Sequence, residues 1–459
     1  MTRKNQGVVS HPVSAPSLTL RSPMSHQIDC IDFCRDRDVF GSFMEMRLGK
    51  TLAVIRSMQE KTDGPYLVLA PKTVIMGWCD ELQLENALYR PVLGDRAARA
   101  QALQGPPNAW YLANYEALRA VPGLPRARPW KAVICDESTA IKNPQAKRSK
   151  VIATQFSHVP YRAILSGLPA PESPMDYFMQ MKFLFGKFMG HKNFWSWRKA
   201  YFHCDKRGWN WWPHTGTLKK IKEAVREHCF VLTRNQAGIG SRQIFQTRLI
   251  DMNSAQRRMI KDIKKNFEWT GTDDELHLSK YVPVNFTWIS RLASGMTPDG
   301  KEIICNNKFN VLMDIITQDF PGEKIIVWFR FNAEIKHMDK LLFDKGISVR
   351  CIMGATKIKE RHEYRIEFNE AKVQILLMQG MIGKFGLDCS GADVAVYFSN
   401  HDSSETREQT KDRIIHPEKK RPLLYIDLAT KDSVDVKRLE SLRLKKSFSK
   451  IMMLDYFRS

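Results

Sequence analysis

The chain has 459 residues, of which 43% are hydrophobic, and its 71 Lys and Arg against 49 Asp and Glu give a formal net charge of +22. It is long enough for more than one domain and apolar enough for ordinary cores, and its cationic surplus favours a polyanionic partner, most simply nucleic acid. No apolar run approaches the ~20 residues of a spanning helix, which argues against membrane insertion, and nine dispersed cysteines without a CxxC pair leave zinc and dithiol motifs unsupported and fit a reducing cytoplasm.

Residues 1–19 lack the apolar core of a signal peptide and read as a disordered lead-in. Ser25 then opens a helix whose apolar face carries Ile28, Ile31 and Phe33. Gln27 lies near its start, and an amide offers a donor and an acceptor together, which suits an adenine edge. The stretch 39–43 (VFGSF) runs through 44–51 (MEMRLGKT) into an apolar helix beginning at Leu52. This is the strand–turn–helix context of a phosphate-binding loop. The helix N-terminus after Gly49 would bind phosphate, Lys50 would reach the outer phosphates of a nucleotide, and Thr51 would hold Mg²⁺. The first position of the GxxxxGK[ST] pattern is Met44, so the bare motif is also compatible with a helix start that binds no nucleotide.

Tyr66 to Ala70 is a short apolar strand ending at Pro71-Lys72-Thr73, before a helix that carries Trp78. Ligands of open α/β sheets gather at strand C-terminal ends, so Lys72, Thr73 and Trp78 are placed to meet a second ligand, although Trp78 is equally a core anchor. A strand is expected at Ala109 to Tyr115, and another at Lys131 to Cys135 delivers Asp136 and Glu137 at its end. In that position Asp136 would hold Mg²⁺, directly or through water, and Glu137 would orient and deprotonate the attacking water, the plainer alternative being a solvated turn that carries acids. Tyr161 to Leu165 follows, ending at Ser166-Gly167-Leu168-Pro169. The alternation predicts a doubly wound, mostly parallel sheet. Beyond it, five tryptophans lie between Trp195 and Trp212 among Lys, Arg and His. Trp195 and Trp197 read as anchors of a small satellite core. Trp211 and Trp212 are adjacent and cannot both face one core, so one of them is a candidate for stacking on a base.

Strung in this order, the stretches resemble the helicase motifs of superfamily 2, specifically its Swi/Snf type. Gln27 resembles the adenine-reading glutamine, 44–51 the family's P-loop, and 67–82 (LVLAPKTVIMGWCDEL) its motif Ia. Residues 136–150 (DESTAIKNPQAKRSK) are similar to the DEAH-like segment and 165–178 (LSGLPAPESPMDYF) to motif III. The match continues through Lys324 to Phe329 (motif IV), 379–388 (QGMIGKFGLD, motif V) and 409–416 (QTKDRIIH, motif VI), to a basic brace near Lys431 to Lys446. Three departures stand out. Arg47 occupies a position that is usually Gly, and its side chain either crowds the loop or contacts phosphate. Leu168 replaces a Thr, and His416 replaces a second Arg, leaving Arg413 as the arginine finger. The segment from Tyr201 to Val231 also resembles the matching region of fork-remodelling and annealing helicases.

The residues and the resemblance together predict an α/β protein with two RecA-like parallel-sheet domains. Domain 1 is expected at 20–185, a helical, Trp-rich insert at 186–300, domain 2 at 301–428 and a C-terminal helical brace at 429–459. ATP and Mg²⁺ would bind between the domains. Gln27, Arg47, Gly49, Lys50, Thr51, Gly383, Gly386 and Asp388 are the expected nucleotide contacts, with Thr51 and Asp136 on the metal. Lys50, Glu137, Gln409, Arg413 and His416 are expected in catalysis. DNA would meet Lys72, Thr73, Trp78, Lys142, Phe329, Arg330, Gly380, Trp211 and Trp212. The resemblance implies an ATP-dependent translocase or helicase acting on branched, forked or duplex DNA, most like bacteriophage branch-migration enzymes, with replication or recombination proteins as partners in a host cytoplasm. A remodeller that displaces a protein from DNA and a catalytically weak DNA-binding relative are the other readings.

Overall fold

The computed structural model describes residues 21–171, 173–205, 211–239, 242–270, 276–278, 281–383, 387–416 and 418–444. The lead-in at 1–19, Gly386 and the end of the brace lie outside the described residues. The first sheet has seven parallel strands in the order Tyr89–Val92, Trp110–Asn114, Tyr66–Ala70, Ala132–Asp136, Tyr161–Leu165, Val39–Met44 and Cys229–Leu232. Its inner strands are covered on both faces, so they read as unbroken apolar runs. Alternate side chains still go to opposite cores: Leu67 and Leu69 pack with Val133 and Ile164, while Val68 packs with Ile134 and Trp110.

The second sheet has six parallel strands, in the order Gln243–Ile250, Leu423–Thr430, Val394–Tyr397, Ile325–Phe329, Ile375–Gln379 and Val349–Ile352. The two parallel sheets are the α/β architecture expected. The stretch 186–300 is not one insert, however. Cys229–Leu232 closes the edge of the first sheet beside the P-loop strand, and Gln243–Ile250 pairs along the whole of Leu423–Thr430 in the second. The chain therefore crosses between the sheets in the few residues after Leu232.

Helix Phe194–Tyr201 drives Trp197 into the first core, with Phe178, Phe188 and Phe202 at ring separations of 5.3, 5.6 and 5.3 Å. Trp195, expected in the same cluster, is 42% exposed. Two residues apart on a helix, the pair points in different directions, and only one reaches the core. Helix Ser254–Asn266 begins in a capping box between Asn253 and Gln256. It buries Ile260 and Ile263 against Phe286, Ile289 and Leu292 of helix Val282–Ala293 and against Val434 of the brace.

The brace helix Val434–Arg443 is held by charge as well as by packing. Arg438, 1% exposed, donates to Asp402 at 2.8 Å, Asp435 at 3.1 Å and the Ser290 hydroxyl at 2.8 Å. Lys308 meets Asp435 at 2.7 Å, and Arg330 closes on both oxygens of Asp402 at 2.9 and 2.7 Å. Removing one member of such a buried network strands its partners, so Arg438→Ala should destabilise the second domain by about 3–5 kcal/mol. The exposed neighbour Lys437→Ala should shift stability by under about 0.5 kcal/mol. Urea denaturation followed by tryptophan fluorescence of the two variants checks this. Arg330 and Phe329 are thereby removed from the expected DNA face. The arginine is forked onto Asp402, and Phe329 is fully buried in the sheet core. Among the described residues no helix is long and apolar enough to cross a membrane.

Candidate nucleotide cleft and nucleic-acid face

The P-loop leaves strand Val39–Met44 and enters helix Lys50–Gln59 through two left-handed residues, Arg47 at φ 71° and Gly49 at φ 69°. Gly49 is required twice over, because a Cβ there would also lie 1.9 Å from Gln27 Nε2. For Arg47 the same conformation costs an L-residue about 1–2 kcal/mol. Helix Ser25–Arg35 braces the loop from behind. His26 Nε2 is 3.0 Å from the Leu48 carbonyl, Gln27 Nε2 donates to the Gly49 carbonyl at 3.2 Å, and Gln27 Oε1 accepts from Met24 N–H at 2.8 Å. The amide expected to read adenine is thus engaged at both ends, which leaves it one N–H and one lone pair for a nucleotide. Lys50 is the first helical residue, where backbone N–H groups have no partner within the helix.

Strand Ala132–Asp136 carries the acids to the same edge. Asp136 Oδ2 accepts from Trp78 Nε1 and Oδ1 from Glu137 N–H, both at 2.8 Å. Trp78, 1% exposed, is therefore not a DNA contact but the donor that orients Asp136. Glu137 has a left-handed backbone (φ 48°), and its Oε2 is buried with no protein partner. Burial first, then the charge of Asp136, pushes its carboxyl up to about 7, against the pull of Lys50 and Arg413.

Arg413 comes from the second domain, on the turn Asp412–Ile414 that follows helix Ser404–Lys411. It is 4% exposed, and its Nη2 lies 3.6 Å from Met46 Sδ in the P-loop. Burial, then the charge of Arg47, lowers its guanidinium to about 10, so it stays charged at neutral pH. Among the described residues, further contacts tie the two domains around it. Arg47 Nη2 meets Asp388 Oδ1 at 2.7 Å and the Arg413 carbonyl at 3.3 Å. Arg234 spans Glu45 at 3.3 Å and Asp412 at 3.0 Å. Lys142 lies between Asp176 at 3.5 Å and Glu405 at 3.7 Å.

A loop that presents a lysine at a helix start, paired acids on a neighbouring strand end and an arginine from the second sheet thus meet in one cleft. Residues 26–267, more than half the chain, match the SNF2-related domain, and residues 307–417 match the helicase conserved C-terminal domain. The chain belongs to the SNF2-related family. It is similar to the ATP-dependent DNA helicase DDM1 of Arabidopsis thaliana, with 22% identity covering 89% of this chain and 58% of DDM1. It is also similar to the nuclear protein STH1/NPS1 of Saccharomyces cerevisiae, with 22% identity covering 86% of this chain and 32% of that protein. The chain thus spans less than two thirds of either relative. The Sulfolobus solfataricus SWI2/SNF2 ATPase core, solved in complex with dsDNA, overlaps 96% of this chain and 94% of its own at 19% identity and a TM-score of 0.45.

Within this SNF2-related cleft, Gln409 is 5% exposed, donates to Glu405 at 3.3 Å and leaves its Oε1 without a protein partner. Beyond Glu137 a cavity of about 580 Å³ opens, lined by Lys72, Thr73, Glu116, Arg148, Glu405 and Gln409 among others. Lys72 is exposed there, and Thr73 Oγ1 is buried without a partner. Lys142 faces Asp176 and Glu405 rather than open solvent, so its expected DNA contact gives way to a tie between the domains.

Other expected positions fall elsewhere. His416 turns to its own loop, where Nδ1 accepts from Glu418 N–H at 3.3 Å, and no described contact links it to Lys50, Glu137 or Arg413. Asp388 meets Arg47 rather than lining a free phosphate site. Gly383 is a packing glycine, since a Cβ there would lie 1.9 Å from the Trp328 ring, and Gly380 is buried at the start of the short helix Gly380–Gly383. Trp211 is partly buried under Arg198, whose Cζ sits 3.8 Å from the ring centre. Trp212 is 47% exposed and stacks on His203 at 5.9 Å, so of the two it is the one open to a base. Sequence assigned no partner to Arg234, Glu405 or Asp412. Arg234 lies two residues beyond the strand at the sheet edge, and an arginine there reads as solvated until Glu45 and Asp412 are seen on either side.

Proposed function

We propose that the chain hydrolyses ATP between its two sheets and uses the cycle to move along DNA. The observation that carries this reading is the convergence of Lys50, Asp136 and Glu137 from one domain with buried Arg413 from the other. Lys50 and the helix N-terminus take the outer phosphates. Thr51 and Asp136 would hold Mg²⁺ together with those phosphates, where the ion supplies charge neutralisation. The donor set fits. Asp136 is oriented by two donors and keeps lone pairs, a single carboxylate beside the place of the phosphates. That is the usual condition of Mg²⁺, which leans on one or two carboxylates and substrate phosphate. Glu137 orients the attacking water and takes its proton, and Arg413 stabilises the charge that develops as the γ-phosphoryl leaves. Because the two walls belong to different domains, ATP binds the closed arrangement better than the open one, and hydrolysis releases that preference.

The net charge of +22 supports DNA as the track, with exposed Lys72 on the cavity wall as a contact to phosphate and so indifferent to sequence. The exposed ring of Trp212 supports a finer reading, in which the substrate is a fork or junction with unpaired bases within reach. The test is ATP turnover with no nucleic acid and with single-stranded, duplex, forked and four-way DNA. DNA should raise turnover, and forked or four-way DNA should raise it more than plain duplex. No response to any DNA would overturn the translocase reading, and a response to RNA alone would redirect it. Full stimulation by naked DNA would also argue against a device that needs a protein to displace.

A further inference from the structure

Two adjacent P-loop residues grip one residue of the other domain. Met46 Sδ receives the Arg413 guanidinium at 3.6 Å, and Arg47 Nη2 donates to the Arg413 carbonyl at 3.3 Å. The same Arg47 Nη2 makes a 2.7 Å ion pair with Asp388, and both side chains are mostly withdrawn from solvent, at 21% and 27% exposure. Asp388 is itself fixed, accepting from Ser390 N–H at 3.0 Å while its carbonyl takes Asn369 Nδ2 at 3.1 Å. Burial would push its carboxyl up, but Arg47 and the Ser390 N–H hold it below the ordinary carboxylate range. Arg47 reaches these partners from a left-handed backbone (φ 71°) that glycine would adopt without strain. The loop thus keeps an unfavourable residue at a place where its side chain does something a glycine cannot.

We infer that Arg47 is a positioning residue, which ties the P-loop to the turn carrying Arg413 so that the finger's main chain is set by the loop that holds the phosphates. This rests on the hydrolysis reading above for its catalytic consequence, though the tie itself does not. The contacts it makes are protein to protein, so the tie draws the two walls together whether or not a γ-phosphate is present. A second strand of the same join, Arg234 between Glu45 and Asp412, runs parallel to it and holds the adjacent residue of the turn.

The full chain carrying Arg47→Gly, Asp388→Asn or both tests this. Glycine suits the backbone at 47, and asparagine keeps the shape at 388, so both variants should fold. Each single variant should lower kcat on the order of 10- to 100-fold, as expected for a displaced catalytic group, with KM for ATP little changed. The double variant should be no worse than either alone, because one interaction is removed in each case. Small-angle X-ray scattering without nucleotide should show a larger radius of gyration for Arg47→Gly than for the wild type. An unchanged kcat in Arg47→Gly overturns the positioning role, and so does a raised KM with intact kcat, which would make Arg47 a nucleotide contact. If the wild-type chain hydrolyses no ATP, the functional reading falls and the scattering decides the tie. Expansion then supports it, and an unchanged radius overturns it.

Discussion

Arg413→Ala is expected to lower kcat for DNA-stimulated ATP hydrolysis by about 10³- to 10⁵-fold, the span of an arginine finger supplied across a cleft. The described side chains nearest to it are engaged elsewhere. Arg47 is committed to Asp388 and to the Arg413 carbonyl, Arg234 to Glu45 and Asp412, and His416 is turned to Glu418. Nucleotide binding should survive, because Lys50 and the helix N-terminus lie wholly in the first domain. Arg413→Lys keeps a charge but loses the planar fork, and should recover only a small part of the rate. Single-turnover hydrolysis beside equilibrium binding of a fluorescent ATP analogue separates the two effects.

Glu137→Gln should lower kcat about 10²- to 10⁴-fold, the usual contribution of a positioned general base. The substitution is close to isosteric and leaves the backbone N–H that holds Asp136 Oδ1 in place, so the metal-side geometry should persist. ATP should still bind, and the variant should accumulate in the closed, ATP-bound arrangement, seen as slower release of the analogue. Combined with Arg413→Ala, the two losses should fall well short of multiplying, since both groups act in one transition state. Retention of wild-type turnover by Glu137→Gln would remove the general-base role.

The sheets were legible because inner parallel strands are apolar without interruption, as in Leu67 to Ala70, Val133 to Cys135 and Ile325 to Phe329. The edge strands were harder to assign. Gln243–Ile250 is exposed or half-exposed up to its buried last residue, without the alternation of a one-faced strand, and its membership in the second sheet depends on Leu423–Thr430, far along the chain. At the cleft, the Gly-Lys-Thr turn and the Asp-Glu pair carry their chemistry in local order. The roles misread from sequence belong to residues whose partners are remote. Trp78 serves Asp136, Arg330 is forked by Asp402, and Arg47 answers Asp388 from 341 residues away. An isolated arginine or tryptophan at a strand end reads the same whether it faces solvent, a phosphate or a buried carboxylate.

The crossing of the chain between Leu232 and Gln243 has a mechanical meaning. It leaves the edge of one sheet and enters the edge of the other, and its start is folded down, with Arg234 held by Glu45 and Asp412 and Ile239 N–H donating back to the Arg234 carbonyl at 2.9 Å; even fully drawn out, the roughly ten residues between would span at most about 35 Å. On so short a leash the two walls meet one another at an effective concentration on the order of millimolar. Each cross-cleft contact can then be individually feeble and still re-form promptly after it opens. The connection thus limits how far the two sheet edges can part and lets them come back together without a dedicated spring.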